Sequence, residues 1–561
     1  MKNPRFICKY SCAGKEIILE GKNSEYLDAD YTVTDKKINL TLKPKGYVEL
    51  IEAYFEFDHE FLEDDKFFAN GYQSWSTSRE YTKNDTSFAY NRLITTCKAE
   101  KLAGVSAAWF CNESLQKGVF ASHCYTYIKN NEKYFFIGSL SERQGYTVFT
   151  GDMNRNILTI SKDVEGVATD KDYDLFDLVI LEGSEAEVFD GYFDQMGVKK
   201  PKIKHLAGYT SWYNYFQKIN EGIILRDLKA MDKVHDDVNI FQIDDGYETF
   251  VGDWLDPNPA KFPNGMKAIA DSIHEKGYMA GIWLAPFNVQ IKSRTYREHP
   301  DWIIRDKKGR PVIGCLGWGG AYTLDIYNPE AREYIRHVFD VVLNDWGYDM
   351  VKLDFLYSQC QIPRYNKSRG TIMCEAMEFL RECCGDKLIL GCGVPLGPAF
   401  GYVDACRISC DVDLSFRPKF YNKMNLCREM VSAQNAINNS IFRRQLNGRV
   451  FTNDPDVFFL RYSNLKFELD QKILLGFINH ICGDVLFVSD NMEEYTDNDI
   501  EIVRKFYSES DFKVIDANYV ENSNKILLKL LDKENKIRML WFNIETGYGN
   551  QGIISGISAN R

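Results

Sequence analysis

Between residues 205 and 490 the chain carries eight short apolar runs, and that count constrains the fold more than any other feature. They lie at 206–212, 238–244, 278–286, 350–355, 387–393, 406–412, 449–454 and 484–490. Helical periodicity fills several of the gaps. In 264–277, Met266, Ile269, Ala270 and Ile273 fall on one face and Gly277 is placed to stop the helix. In 328–347, Asn328 can cap, Pro329 takes the first helical position, and Ile335, Val338, Phe339, Val342 and Trp346 face inward. Eight βα units predict a (β/α)8 TIM barrel, because a doubly wound sheet usually stops at about five to seven strands.

The flanks read differently. Residues 1–195 are rich in Tyr, Phe and Thr in short alternating runs such as 31–44 and 133–140, with turn clusters between them, which predicts an antiparallel β-sandwich. The barrel is expected over 196–495, with a long insertion at 287–327, and alternation returns in a small antiparallel β domain over 496–561. The architecture is therefore multidomain, α/β in the centre and all-β on both sides.

Charge and cysteine usage narrow the function. Lys and Arg total 68 against 80 Asp and Glu, a formal net charge of −12, a poor match for phosphate backbones or anionic lipid. No run approaches the roughly 18 apolar residues of a membrane span, and the first residues lack a secretory apolar core. The odd count of 15 Cys, with Cys383 and Cys384 adjacent, points to reduced thiols and a cytoplasmic location. Neither Cys392/Cys406/Cys410 nor Cys374/Cys383/Cys384 has paired metal-ligand spacing, and His totals 8, so no metal or cofactor is expected. The expected partner is a small neutral or cationic molecule, neither nucleic acid nor membrane, and the sequence does not specify an oligomer.

A barrel's chemistry sits in the loops after its strands. There the sequence places Trp212, Tyr213 and Tyr215 in unit one; Asp244, Asp245, Asp253 and Trp254 in unit two; Trp283 in unit three; and Lys352 and Asp354 in unit four. Units five to seven add Cys392 and Gly393, then Arg407 and Asp411, then Asp454 and Asp456. Carboxylates, two cations and aromatic faces suit a polyhydroxylated neutral ring, whose apolar face stacks on Trp while its hydroxyls take charge-assisted hydrogen bonds. Lys352 and Asp354, two apart on a strand, share a face, so the ammonium is expected to keep Asp354 ionised, as a nucleophile requires. If Asp411 faces Asp354, it should hold its proton longer, and a pair about 5–5.5 Å apart is the arrangement of a retaining glycosidase. Each signal has a plainer reading alone. Lys-x-Asp can be an internal ion pair, Asp244-Asp245 a helix cap with a surface acid, Trp254 or Trp283 simple packing, and Asp404 or Asp413 the acid in place of Asp411. Their joint placement at strand ends favours a site.

Taken together, the segments 67–76, 241–248, 252–254, 281–287, 351–355, 407–411 and 453–456 resemble the α-galactosidases of glycoside hydrolase family 36, in clan D of retaining glycosidases. The resemblance covers nearly the whole chain. It implies Asp354 as nucleophile and Asp411 as acid/base. Asp244 and Asp245 would bind the 4-OH and 6-OH of galactose, and Lys352 and Arg407 neighbouring hydroxyls. Trp283 would line the subsite, and Trp75 would close it from the N-terminal domain. The implied reaction is hydrolysis of melibiose- or raffinose-type α-galactosides by double displacement. Strand five ends Gly391-Cys392-Gly393, departing from the Cys-Ser pattern of many relatives near the sugar's 2-position. An α-N-acetylgalactosaminidase or α-galactosyl transglycosylase therefore stands as the alternative. From other classes come a metal-dependent barrel lyase or isomerase using Asp244, Asp245 and Asp354 as oxygen ligands, and a non-catalytic sugar-binding protein. Lys352 and Arg407 speak against the metal, since they set positive charge beside it.

Overall fold

Alternation along the N-terminal strands sorts side chains between two layers. In Lys37–Pro44, Ile38, Leu40 and Leu42 point inward between exposed or half-buried neighbours, and this pattern repeats in two seven-stranded antiparallel sheets. Phe55 of one sheet meets Phe176 of the other with ring centroids 5.5 Å apart, at the centre of a dry sandwich core. The structure, a computed structural model, describes residues 1–87, 116–417, 419–420, 424, 431–520 and 523–550. Residues 88–115 of the expected sandwich and 551–561 of the expected C-terminal domain lie outside them.

The outer face of the second sheet does not meet water. It carries Phe68, Tyr125, Tyr127 and Phe136, which pack on Phe189 and Tyr192 of the helix Glu185–Met196 and merge with the barrel core. That helix begins with a capping box of Ser184 and Glu187 and ends at Gly197, whose φ of 70° is one that glycine adopts without strain.

Eight parallel strands follow, seven within the expected runs and the sixth overlapping its run: Leu206–Thr210, Ile240–Ile243, Met279–Leu284, Met350–Leu353, Leu388–Gly391, Ala405–Arg407, Thr452–Asp454 and Val485–Val488. They pair in chain order, the first also pairs with the eighth, and a single parallel bridge from Phe458 to Val488 spans the seam between seven and eight. Met266, Ile269, Ala270 and Ile273 are buried as the periodicity predicts, and Asn328 caps the helix Pro329–Asp340 through the N–H groups of Glu330 and Ala331. The 287–327 insertion forms a three-stranded antiparallel sheet of Asn288–Gln290, Ala321–Thr323 and Ile313–Cys315. After strand eight, the helix Asp497–Tyr507 packs Ile502, Val503 and Phe506 inward, and the strands Phe512–Tyr519, Lys525–Asp532 and Ile537–Asn543 make the final sheet.

Strand six is shorter than its apolar run. Only Cys406 and Arg407 of 406–412 lie in the ladder, because Arg407 spends its guanidinium on three carboxylates and the chain beyond turns out to supply one of them. Asp411 therefore sits on a loop four residues past the strand.

One buried cation fixes the sandwich to the barrel. Arg443 is 0% exposed, and among the described residues it meets oxygens of amides and carbonyls and no carboxylate. It donates to Ser74 O (2.7 Å), Gly71 O and Gln73 O (3.1 Å each), the Asn70 side chain (3.2 Å) and Ile408 O (2.8 Å). The first four partners belong to the sandwich loop that carries Trp75, and the last to the barrel. Desolvation lowers the guanidinium to about 10, still charged at neutral pH. Arg443→Met strands these buried acceptors, each at a cost of about 1–3 kcal/mol when unsatisfied. The variant should lose several kcal/mol in urea unfolding, and Arg443→Lys, with one ammonium for five partners, should recover only a small part.

Candidate active site

The ends of strands two and four meet through charge. Lys352 Nζ donates to Asp244 Oδ2 at 2.8 Å with both side chains almost fully buried, and Asp244 also accepts from Gln242 Nε2 at 2.8 Å. The sequence expects Lys352 to serve Asp354; the structure gives its direct hydrogen bond to Asp244. Asp354 instead accepts the indole N–H of Trp283 at 3.1 Å and the backbone N–H of Phe355 at 2.7 Å. Burial raises its carboxyl above the usual 3.8, Lys352 opposes that rise, and the charge of Asp411 adds to it. The expectation of a low Asp354 is thereby corrected: two hydrogen bonds and a cation two residues away do not offset full desolvation.

Asp354, Asp411, Asp244, Asp245 and Lys352 all line one cavity of about 370 Å³, within the range of small-molecule sites. Its aromatic wall comes from Trp75, Trp212, Trp283, Trp318 and Phe355. Asp411 is the most open of the acids, its side chain 41% exposed, and accepts from Arg407 Nη1 at 2.9 Å. Asp245 accepts from Trp318 Nε1 at 2.8 Å and from Gln217 Nε2 at 3.0 Å. Burial raises its carboxyl, and the neighbouring Glu248, itself buried, is raised well above an ordinary glutamate by the same cause.

Trp75 reaches this cavity from the sandwich as expected. Its loop docks on the barrel through Ser74 N–H to Val394 O at 3.0 Å, and a Cβ on Gly393, whose φ is 53°, would lie 2.9 Å from the Trp75 ring. Glycine at 393 is what lets the indole lie against strand five.

Other expected contacts stand behind the wall. Arg407 is shared among Asp411, Asp454 (3.2 Å) and Asp456 (2.9 Å), leaving its guanidinium to position carboxylates. Tyr213 gives its hydroxyl to Asp456. Trp254 is buried against Trp283 with centroids 5.7 Å apart. Cys392 packs in a small cluster with Trp75, Tyr357 and Cys410. Asp253 caps the turn entering the helix Arg294–Glu298, accepting the N–H groups of Arg294 (2.8 Å) and Thr295 (2.9 Å) and the Thr295 hydroxyl (2.7 Å).

The sequence reading missed Trp318, Gln217, Cys315 and Phe355. Trp318 lies in the insertion, in a stretch of four residues, 317–320, of which the other three are glycine, and its own φ of 56° is left-handed. A tryptophan among glycines in a long barrel loop was the available signal. Among the described residues no group of three or more His, Cys, Asp or Glu is arranged to hold a metal ion, and no helix is long and apolar enough to cross a membrane.

Residues 211–375 match the family described as Melibiase. A 134-residue stretch is 37% identical to the A type blood alpha-D-galactosamine galactosaminidase of Flavonifractor plautii, covering 22% of this chain and 12% of that protein. Another of 124 residues is 32% identical to an alpha-galactosidase of Escherichia coli, covering 21% and 17%. These matches thus span less than a fifth of either relative. The fold extends further: TtGalA, an alpha-galactosidase from Thermus thermophilus solved with p-nitrophenyl alpha-D-galactopyranoside, superposes with a TM-score of 0.70 at 24% identity over 91% of this chain and 98% of that one. The alpha-galactosidase AgaA of Geobacillus stearothermophilus gives 0.62 at 12% identity over 92% and 73%.

Since Asp253 is a cap set behind the cavity, Asp253→Ala should cost about 1–2 kcal/mol in urea unfolding. Asp253→Asn should cost less, because the oxygen facing Thr295 survives.

Proposed function

We propose that this chain, whose barrel carries the Melibiase family's domain over residues 211–375, is a retaining α-galactosidase of glycoside hydrolase family 36 acting on terminal α-D-galactosyl residues of small oligosaccharides. One observation carries the reading. Asp354 and Asp411 line the same cavity and the charge of Asp411 raises the Asp354 carboxyl, while Lys352, Asp244 and Asp245 sit beside them and Trp283 walls them in. A double displacement needs two such carboxyls on opposite sides of one anomeric carbon.

In the first step Asp354 attacks C1, Asp411 gives its proton to the leaving oxygen, and a β-galactosyl ester forms at Asp354. In the second, Asp411 takes a proton from water, which attacks C1, breaks its ester bond to Asp354 and releases that carboxylate, restoring the α configuration. The Trp283 N–H and the Phe355 N–H hold the Asp354 carboxylate in place, and Asp244 with Lys352 and Asp245 with Trp318 offer paired donors and acceptors to the galactose hydroxyls. Arg407 acts through Asp411, which it orients. The similarity to a galactosaminidase favours a second reading, a 2-amino or 2-acetamido galactoside as substrate. Turnover of the nitrophenyl α-galactoside, its 2-amino and its 2-acetamido counterparts, compared side by side, decides between them.

Asp354→Gly should abolish hydrolysis of nitrophenyl α-galactoside, and azide should restore turnover with β-galactosyl azide as product. An α-azide, or a wild-type product of inverted configuration, removes Asp354 from the nucleophile's role.

The pH dependence has a definite sign. Only ionised Asp354 attacks, and its carboxyl sits above 3.8, so kcat/KM falls with acid through a value above that figure. Asp411→Asn deletes a neighbouring negative charge that raises Asp354. With α-galactosyl fluoride, whose leaving group needs no proton, the acid limb of that variant should move to lower pH. A limb that stays put or moves up contradicts the coupling.

A further inference from the structure

Phe216 occupies a backbone conformation that side chains rarely adopt. Its φ of 49° and ψ of −137° lie outside the regions open to a bulky L-residue without strain. Such strain persists where the surroundings enforce it and clusters at functional positions. Burial does not account for it, since Phe216 is 41% exposed. A lone exposed aromatic carries no message; one held out of the core under strain does.

Its position is fixed from both sides. The ring stands at 89° to Trp212 with centroids 5.2 Å apart, and Trp212 lines the catalytic cavity. The next residue, Gln217, also lines the cavity and donates to both oxygens of Asp245 at 3.0 and 3.1 Å. Gly246 backs against it so closely that an added Cβ would meet Gln217 Cα at 2.7 Å. Both chain neighbours of this turn, Trp212 and Gln217, line the cavity, and the exposed Phe216 ring lies between them in sequence, packed on Trp212.

The carboxylates of the floor handle the ring that is cut at C1, and whatever is attached to that carbon must leave through the mouth. We propose that Phe216, braced by Trp212, is the platform for the leaving-group ring, a pyranose unit whose apolar C–H face stacks on the aromatic pair. This rests on the galactosidase reading above and adds to it a preference for substrates whose galactosyl unit is linked to another sugar. The neutral side chain of Gln217, next along the turn, fits an uncharged occupant.

The test compares a ring with an atom as leaving group. Raffinose presents a pyranose to the platform and α-galactosyl fluoride presents none. The ratio of kcat/KM for raffinose to that for the fluoride should fall about tenfold in Phe216→Ala and Phe216→Gly, with the loss in KM, because the stack is present in ground and transition states alike. Phe216→Trp, which keeps a stacking face, should hold the ratio near wild type. Phe216→Gly, relaxed at this φ, should melt at or above the wild type, which separates the lost ring from a lost fold. An unchanged ratio in the Ala and Gly variants overturns the proposal, as does a loss confined to nitrophenyl α-galactoside with raffinose spared. Wild-type protein that fails to hydrolyse the fluoride would instead defeat the galactosidase reading and the platform with it.

Discussion

Charge compensation among buried groups at the barrel mouth governs this molecule. Six carboxylates crowd the ends of strands two, four, six and seven, and two buried cations serve them. Lys352 is tied to Asp244, and Arg407 to Asp411, Asp454 and Asp456. The remaining two, Asp354 and Asp245, are each held by a tryptophan N–H in place of a cation. An indole donor fixes a carboxylate without cancelling its charge. On the proposed galactosidase reading, that is the condition in which Asp354 can attack carbon and Asp245 can accept a hydroxyl. The cost is a carboxyl pushed up by burial, a rise that Lys352, two residues away, opposes.

A second constraint comes from the sandwich. The cavity is incomplete as a barrel feature, since Trp75 is contributed by a loop some 280 residues before Asp354 in the chain. Arg443 ligates that loop's carbonyls and a barrel carbonyl together, and Asn439 adds an N–H to Ser76 O at 2.9 Å. A loop so held loses little further entropy when substrate arrives, which is the physical content of a preorganised site. The N-terminal domain therefore supplies part of the cavity wall, and its loop is held there by buried hydrogen bonds.

Aromatic residues around the mouth share an unusual trait. Phe216, Trp318 and Phe355 all have positive φ, near 49°, 56° and 53°. Trp318 and Phe355 line the cavity, with ring centroids 5.0 Å apart, and Phe216 packs on Trp212, which lines it too. Bending the backbone against its preference is how two different loops bring the Trp318 and Phe355 rings to the cavity, and how a third sets Phe216 against its Trp212. Stability supplied by the barrel core, where the strands are buried almost without exception, allows the loops to carry that strain.

The sequence alone determined the architecture. Eight apolar runs with helical spacing between them admit few closed arrangements, and period-two alternation in the first and last segments leaves them only sheets to form. It also marked which strand ends hold acids, cations and indoles. It did not determine which charge answers which, because a pairing such as Lys352 with Asp244 joins residues 108 positions apart and depends on how neighbouring strands register. Nor did it separate the wall from what lies behind it. Asp253 and Asp245 are equivalent acids in the same loop, yet one caps a helix and the other faces the cavity. Trp318 entered the site only because an antiparallel sheet in the insertion folds its loop back over strand three. Periodicity is a local property and survives in the chain; pairing of charges and exposure to a cavity arise from contacts across it, and only tertiary structure decides them.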